Sequence, residues 1–236
     1  MTEPTQLLIH GASGRMGQAL MRLAAERDDL RVVAAAARRA PADLPAGVAA
    51  IDAVSLDSAP EFDVAIDFSL PEAFDAALDL CVRRGAAFVS GTTGLSDAQR
   101  ETLANAATKI PVVWAANFSL GVAVLGDLVE RAARVLADWD CDIVESHHVH
   151  KKDAPSGTAL ALGARAEVGG AEPHYASLRA GDIVGEHTVQ FATAGERIEL
   201  IHRATNRDIF ARGALHVTRR LQGRAPGAYR VADLLD

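Results

Sequence analysis

Residues 6–10 form a short apolar run, Q-L-L-I-H, set directly against G-A-S-G-R-M-G (residues 11–17) and then a helical pattern reaching about Glu26. Strand, glycine turn and helix in immediate succession commit the chain to a βα unit, the building block of a parallel sheet. Glycines let the backbone turn tightly and let a pyrophosphate touch the helix N-terminus. The spacing is G-x-x-G-x-x-G, not G-x-G-x-x-G. Taken alone it therefore fits a plain strand–helix turn as well as a nucleotide loop. In the second case Gly11, Ala12, Ser13, Gly14 and Met16 surround the phosphates, and Arg15 adds a cation beside them.

The pattern then repeats. Residues 31–37 read as a second strand ending at Arg38-Arg39, while residues 40–60 are rich in Ala, Pro and Asp and are expected to carry little structure. Residues 64–68 read as a buried strand, Ser69-Leu70-Pro71 starts a helix reaching about Arg84, and residues 86–90 are a further strand. G-T-T-G (residues 91–94) leads to a helix over residues 96–107, and the strand at 111–115 runs into A-N-F-S-L-G. Strands alternating with helices predict a doubly wound, Rossmann-like α/β sheet. Ligands of such sheets bind at the carboxyl ends of the strands. Phe68, Gly91, Thr92, Thr93, Ala115, Ala116, Asn117 and Phe118 all follow strand ends. Singly each fits a turn, but together with the glycine loop they point to a nicotinamide nucleotide.

A helix is expected over residues 122–137, then a strand at 141–148, a helix at 158–166, strands at 174–180, 186–194 and 197–204, a hairpin turn at Gly195-Glu196, a helix over Asp208–Leu221 and an apolar tail at 231–235. This reads as a second, mostly antiparallel α+β domain.

Within the second domain lies E-S-H-H-V-H-K-K-D-A-P-S-G-T, residues 145–158. Three histidines, two lysines and a helix start rich in turn and cap residues sit within fourteen positions. Gly157 removes a side chain where a ligand could approach the backbone, and the free N–H groups of the turn attract an anion. The whole chain has three lysines, Lys109, Lys151 and Lys152, so 21 of its 24 basic residues are arginine. A His/Lys-rich run is usually a solvated loop. The rarity of lysine and the S-G-T helix start favour instead a site for carboxylates or phosphates.

Composition narrows the classes. Hydrophobic content of 49% with 23% charged residues describes a globular chain, and a net charge of −7 argues against a general nucleic-acid binder. An acidic ligand must then be drawn by a local basic patch. The first ten residues show no signal peptide, and no 18-residue apolar span offers a membrane crossing. Cys81 and Cys141 fit no metal or CxxC spacing and read as buried free thiols, consistent with a cytoplasmic protein.

The run E-S-H-H-x-H-K-x-D-A-P-S-G-T-A resembles the dihydrodipicolinate reductase family, and D-F-S, G-T-T-G, A-A-N-F-S and R-A-G-D-I-V-G-E-H-T (residues 179–188) match it in order and spacing. The resemblance covers nearly the whole chain. It implies reduction of 4-hydroxy-tetrahydrodipicolinate, through dihydrodipicolinate, to tetrahydrodipicolinate in the diaminopimelate/lysine pathway. NADPH or NADH would deliver hydride to ring C4. His147 and Lys151 become acid/base candidates, with the lysine's pKa expected to be lowered by surrounding cations. His148, Lys151, Gly157 and Thr158 would hold the substrate carboxylates, and Arg207 is expected to join the cofactor residues. The resemblance also implies that residues 208–236 return to the dinucleotide-binding domain of residues 1–118, leaving residues 119–207 for substrate binding and oligomerisation, with a homotetramer built through the sheet containing residues 186–204.

Strand alternation would place His147 and His148 on opposite faces unless the strand ends there. For His150 a structural hydrogen bond is expected. Two departures from the family stand out. The segment before His174 is short, and Ala37 occupies the position where an acid often binds the adenosine ribose. Arg38 and Arg39 follow it, which predicts a preference for NADPH with NADH still possible. A metal enzyme using His148 and His150 lacks a completing ligand set. Another dehydrogenase of a small dicarboxylate, or a nicotinamide-binding sensor without turnover, are the remaining readings.

Overall fold

The computed structural model describes residues 3–236; Met1 and Thr2, where the segment read for a leader begins, lie outside them. The chain divides into two compact units, one running to Phe118 and resuming over Phe210–Asp236, the other Ser119–Ile209. These boundaries differ from the expected ones by two residues at the return.

The first unit opens with β1 (Thr5–His10), α1 (Arg15–Ala24), β2 (Leu30–Ala37), β3 (Ala49–Asp52), β4 (Val64–Asp67), α2 (Pro71–Arg84), β5 (Ala87–Ser90), α3 (Asp97–Ala107) and β6 (Pro111–Trp114). β4 and β5 are buried along their whole length, as parallel strands covered on both faces must be. α2 begins with Pro71 at its first turn and ends at Gly85 in the left-handed region, φ 66°. Its buried residues Phe74, Ala77, Leu78 and Cys81 follow the helical spacing, and Phe74 meets Phe88 edge-on at 5.5 Å. Ser96 caps α3 in a capping box with Gln99.

The second unit holds α4 (Leu120–Val135), β7 (Asp140–His147), α5 (Gly157–Gly169), β8 (Pro173–Arg179), β9 (Gly185–Thr193) and β10 (Glu196–Ala204). Its sheet runs β10-β9-β7-β8; β9 is antiparallel to both neighbours, and β8 is parallel to β7 with α5 as the crossover. Along β7 and β9 every second residue is buried, so Cys141, Ile143, Val189 and Phe191 face Leu125, Val129, Leu162 and Ala166 of the two helices. The hairpin turn is Ala194-Gly195, with Gly195 at φ 96°, one residue earlier than expected, because Glu196 already pairs with Thr193. The connection from α5 to β8 is three residues, with Gly170 in the left-handed region at φ 101°.

The chain then returns through α6 (Asp208–Leu221) and β11 (Gly227–Tyr229), which completes a seven-stranded sheet in the order β11-β6-β5-β4-β1-β2-β3. Every pairing in it is parallel. Residues 40–60 are therefore more structured than expected. β3 and a short 3-10 turn at Leu56–Ser58 lie within them, built on few apolar anchors such as Ile51 and Leu56. The connection reverses direction between β1 and β4, the switch point outside which ligands of such sheets bind. No helix among the described residues is long and apolar enough to cross a membrane.

Candidate active site

In the first unit a cavity of about 530 Å³ opens at the carboxyl ends of β1, β2 and β4. Gly11, Ser13, Gly14, Ala37, Arg38, Phe68 and Ser69 line it, with His10, Ala53, Leu70, Glu72 and Ala73. The glycines are there for close approach. Gly11 sits at φ 82°, where a Cβ would come within 2.5 Å of the Phe68 carbonyl oxygen, and a Cβ on Gly17 would meet the Gly11 oxygen at 2.4 Å. Only a chain without these side chains brings the loop down on β4 and α1 up against the loop. The cradle fits a nucleotide diphosphate, with Gly14 as the N-cap of α1.

Beneath the cavity the strand ends are tied by one carboxylate. Asp67, fully buried, accepts from His10 Nδ1 at 2.8 Å, Ser69 Oγ at 2.6 Å, Ser90 Oγ at 2.8 Å and Thr92 Oγ1 at 2.7 Å. Burial would raise its pKa, but the hydrogen bonds, His10's foremost, outweigh that and hold it below the ordinary carboxylate range.

The expected cofactor residues divide accordingly. Gly11, Ser13, Gly14, Arg38 and Phe68 line the cavity, and Ala12 lies buried beside it with its N–H on the Ala36 carbonyl. Arg15 and Met16 open α1, and Arg39 is exposed; none of the three is on the cavity wall. The loops after β5 and β6 support the wall from behind. Gly91 leaves room for the Phe68 ring, Thr92 turns its hydroxyl inward to Asp67, and Phe118 meets Phe68 edge-on at 5.5 Å. Thr93 and Ala116 are exposed, with Ala115 and Asn117 half-buried.

In the second unit β7 ends at His147, so the strand does stop between the paired histidines. Glu145, two residues earlier on the same face, is fully buried and accepts from Arg179 Nη1 at 2.9 Å and Nη2 at 2.7 Å. It also accepts from His147 Nδ1 at 2.5 Å and from the Ser156 N–H at 3.2 Å. Burial pushes this carboxyl up, while bonds from Arg179, Ser177 and His147 bring it down to about 2. It is therefore a permanent acceptor, and His147 carries its proton on Nδ1 with Nε2 left for chemistry.

Ser156 is the N-cap of α5, accepting from Ala159 N, and its hydroxyl lies 3.2 Å from His187 Nε2. His187 packs edge-on to His147 at 5.2 Å. Burial, then the neighbouring His147 and His202, lower its pKa to about 4, so it is neutral at pH 7. Gly157 opens α5 with nothing near its missing Cβ, and Thr158 beside it is half-buried. His148 is half-buried, with Nε2 3.3 Å from Arg207 Nη2, and burial followed by the Arg207 charge lowers its pKa.

This geometry corrects the surroundings expected for Lys151 and the hydrogen bond expected for His150. Lys151 does not sit among cations alone: its Nζ lies 2.9 Å from Asp153, an acid two residues on. Arg207, expected at the cofactor, has its guanidinium against His148, at the end of the second sheet where β7 and β10 both finish, with β9 between them. His150 is exposed with no hydrogen-bond partner among the described residues; its ring lies 6.2 Å from that of His148. Lys152 is exposed and makes no ion pair among the described residues. No group of three or more His, Cys, Asp or Glu among the described residues is arranged to hold a metal ion.

Comparison with known proteins adds to the geometry. Family models described as dihydrodipicolinate reductase, N-terminus and C-terminus, match residues 5–118 and 121–235. A 4-hydroxy-tetrahydrodipicolinate reductase of Stenotrophomonas maltophilia (strain R551-3) is 72% identical over 234 residues, 98% of each chain. One of Xylella fastidiosa (strain 9a5c) is 61% identical over 231 residues, again 98% of each. A solved dipicolinate-bound dihydrodipicolinate reductase from Paenisporosarcina sp. TG-14 has a TM-score of 0.83 at 22% identity, over 96% of this chain and 97% of that one. The C. glutamicum DAP dehydrogenase in complex with DAP gives 0.64 at 17%, over 99% and 94%. At these identities the two structures speak to the fold alone.

Proposed function

The chain belongs to the dihydrodipicolinate reductase family, and on that premise we propose that it reduces 4-hydroxy-tetrahydrodipicolinate, by way of dihydrodipicolinate, to tetrahydrodipicolinate. The observation that carries this reading is the group at the end of β7. There a carboxylate-held imidazole, an ammonium and the N-terminus of α5 come from one short stretch. A dicarboxylate needs two anion contacts and a reduction at a ring carbon needs one proton. Lys151, His148 and the backbone of Gly157 and Thr158 supply the contacts, with Arg207 joining His148. The proton comes from the His147–Lys151 acid/base pair: His147, its Nδ1–H held by Glu145, takes up a second proton from solvent on Nε2 before it can give one, and the Lys151 ammonium carries one already.

A bound nicotinamide nucleotide supplies the hydride. Gly11, Ser13 and Gly14 would hold its pyrophosphate, and Arg38, on the same cavity wall, would pair with an adenosine 2′-phosphate. Ala37, on the same wall, neither accepts from a ribose hydroxyl nor repels a phosphate. NADPH is the preferred cofactor, with NADH usable. The working form is a homotetramer, for which the open face and edges of the second sheet provide the surface.

NADPH oxidation with freshly prepared substrate tests the activity. Lys151→Ala should lower turnover by about 10²–10⁴-fold while leaving cofactor affinity nearly unchanged. Lys152→Ala, on an exposed side chain, should cost no more than about threefold. Equal, small losses in the two variants would remove Lys151 from the reaction.

A further inference from the structure

We propose that Glu145 and Arg179 form the positioning unit of this site, one carboxylate fixing both the proton donor His147 and the helix N-terminus that receives a substrate carboxylate. The inference rests on the role given to His147 above. Glu145 is the residue through which both halves pass. One oxygen accepts from His147 Nδ1 and Arg179 Nη1, and the other from the Ser156 N–H and Arg179 Nη2. Ser156 caps α5, so the direction of the Gly157 and Thr158 N–H groups follows from that same oxygen.

Only an ionised carboxylate can do this. It offers two acceptor oxygens and no donor, which matches four incoming N–H groups. An amide in its place would turn an NH₂ toward two of those donors. A buried carboxylate also needs a compensating charge, and Arg179 provides it in a two-pronged contact suited to the guanidinium. The sheet register makes this possible, because β8 pairs with β7 so that His147 faces Arg179 and Glu145 faces Ser177. Arg179 further donates to the Asp153 carbonyl at 2.6 Å. The guanidinium thereby ties residues 148–156, which carry Lys151, to the same anchor.

Without Glu145 the imidazole would lose its tautomer, and α5 would lose the bond that sets its first turn. Both kcat and substrate KM should suffer together, while a residue that merely holds a fold would change neither the tautomer nor their ratio. Histidine-¹⁵N NMR of the full chain reads the tautomer directly. In the wild type His147 should carry its proton on Nδ1 when neutral. Glu145→Gln should show a tautomer mixture, with kcat lowered about 10²-fold or more and KM raised several-fold. Glu145→Asp, keeping the charge at a shorter reach, should recover part of the loss.

An Nε2–H tautomer in the wild type would overturn the proposal, as would Glu145→Gln with wild-type kcat and KM. If Glu145→Gln fails to fold, the wild-type tautomer and the kinetics of Arg179→Lys, which keeps the charge but loses the fork, decide instead. The expected Arg179→Lys result is a lower kcat with a higher KM, and unchanged values would count against the pair. His147→Ala with full activity would remove the donor role even where the wild-type protein shows the Nδ1–H tautomer. The two failures are thus distinguishable.

Discussion

On the proposed preference for NADPH, Ala37 is the residue through which cofactor choice would be made. It ends β2, is almost wholly buried and shares the cavity wall with Arg38. One Arg–phosphate contact contributes roughly 1.5–3 kcal/mol, and each 1.4 kcal/mol is tenfold in affinity. The wild type should therefore favour NADPH by about ten- to a hundredfold in kcat/KM, and Ala37→Glu should shift the balance toward NADH. Steady-state kinetics with both cofactors checks this; an NADH-preferring wild type, or no shift in the variant, would overturn it. At this scale the letters were informative wherever partners are close in sequence. The glycine loop, His147, Lys151 and the N-cap Ser156 all stand in short motifs whose spacing carries their geometry. Glu145 and His147 share a strand face by alternation alone. Arg179 could not be joined to them, because it stands 34 positions after Glu145 and only the β7–β8 register brings it back. Asp153 was legible as a turn residue, yet its charge lands on Lys151.

Among the elements, β1, β4 and β5 converge on Asp67, and that carboxylate should govern how firmly their ends are held. Removing one partner of a buried hydrogen-bonded charge costs about 3–5 kcal/mol. Asp67→Ala, which strands His10, Ser90 and Thr92, should lower the melting temperature markedly and weaken nucleotide binding. The pH dependence has a definite sign. The folded-state pKa lies below the ordinary aspartate value. The stabilisation is thus complete above about pH 4 and fades as pH falls from there toward the folded pKa. Melting curves of wild type and Asp67→Asn should differ most near neutrality and converge in acid; a gap that widened on acidification would contradict this. Elements with long apolar runs or clear caps were readable from sequence within a residue or two, except that α5 runs three residues past its expected end at Ala166. β3 and β11 were not, being short edge strands of four and three residues with few buried side chains. Their pairing with β2 and β6, rather than local pattern, makes them strands.

For the whole molecule, the assembly prediction concerns the second sheet. β8 and β10 are its edges, and Tyr175, Leu178, Ile198 and Ile201 are exposed on them. Open edges carrying apolar side chains are a liability unless another chain pairs with or covers them. Size-exclusion chromatography with light scattering should give four times 24.8 kDa at micromolar concentration; a monomer mass would exclude the tetramer. The two-unit division was legible because the alternating pattern stops near Phe118, whereas the return was placed at the start of α6 rather than two residues into it. That discontinuity has a consequence for synthesis. When Ile209 has left the ribosome the inserted unit is complete and able to fold as a unit, although its residues were made second. The unit begun first still waits for α6, with β6 presenting an unpaired edge until residues 227–229 emerge. A nascent chain stalled after residue 209 would carry a finished insert on an unfinished nucleotide sheet. The last 27 residues, rather than the first 118, close the fold.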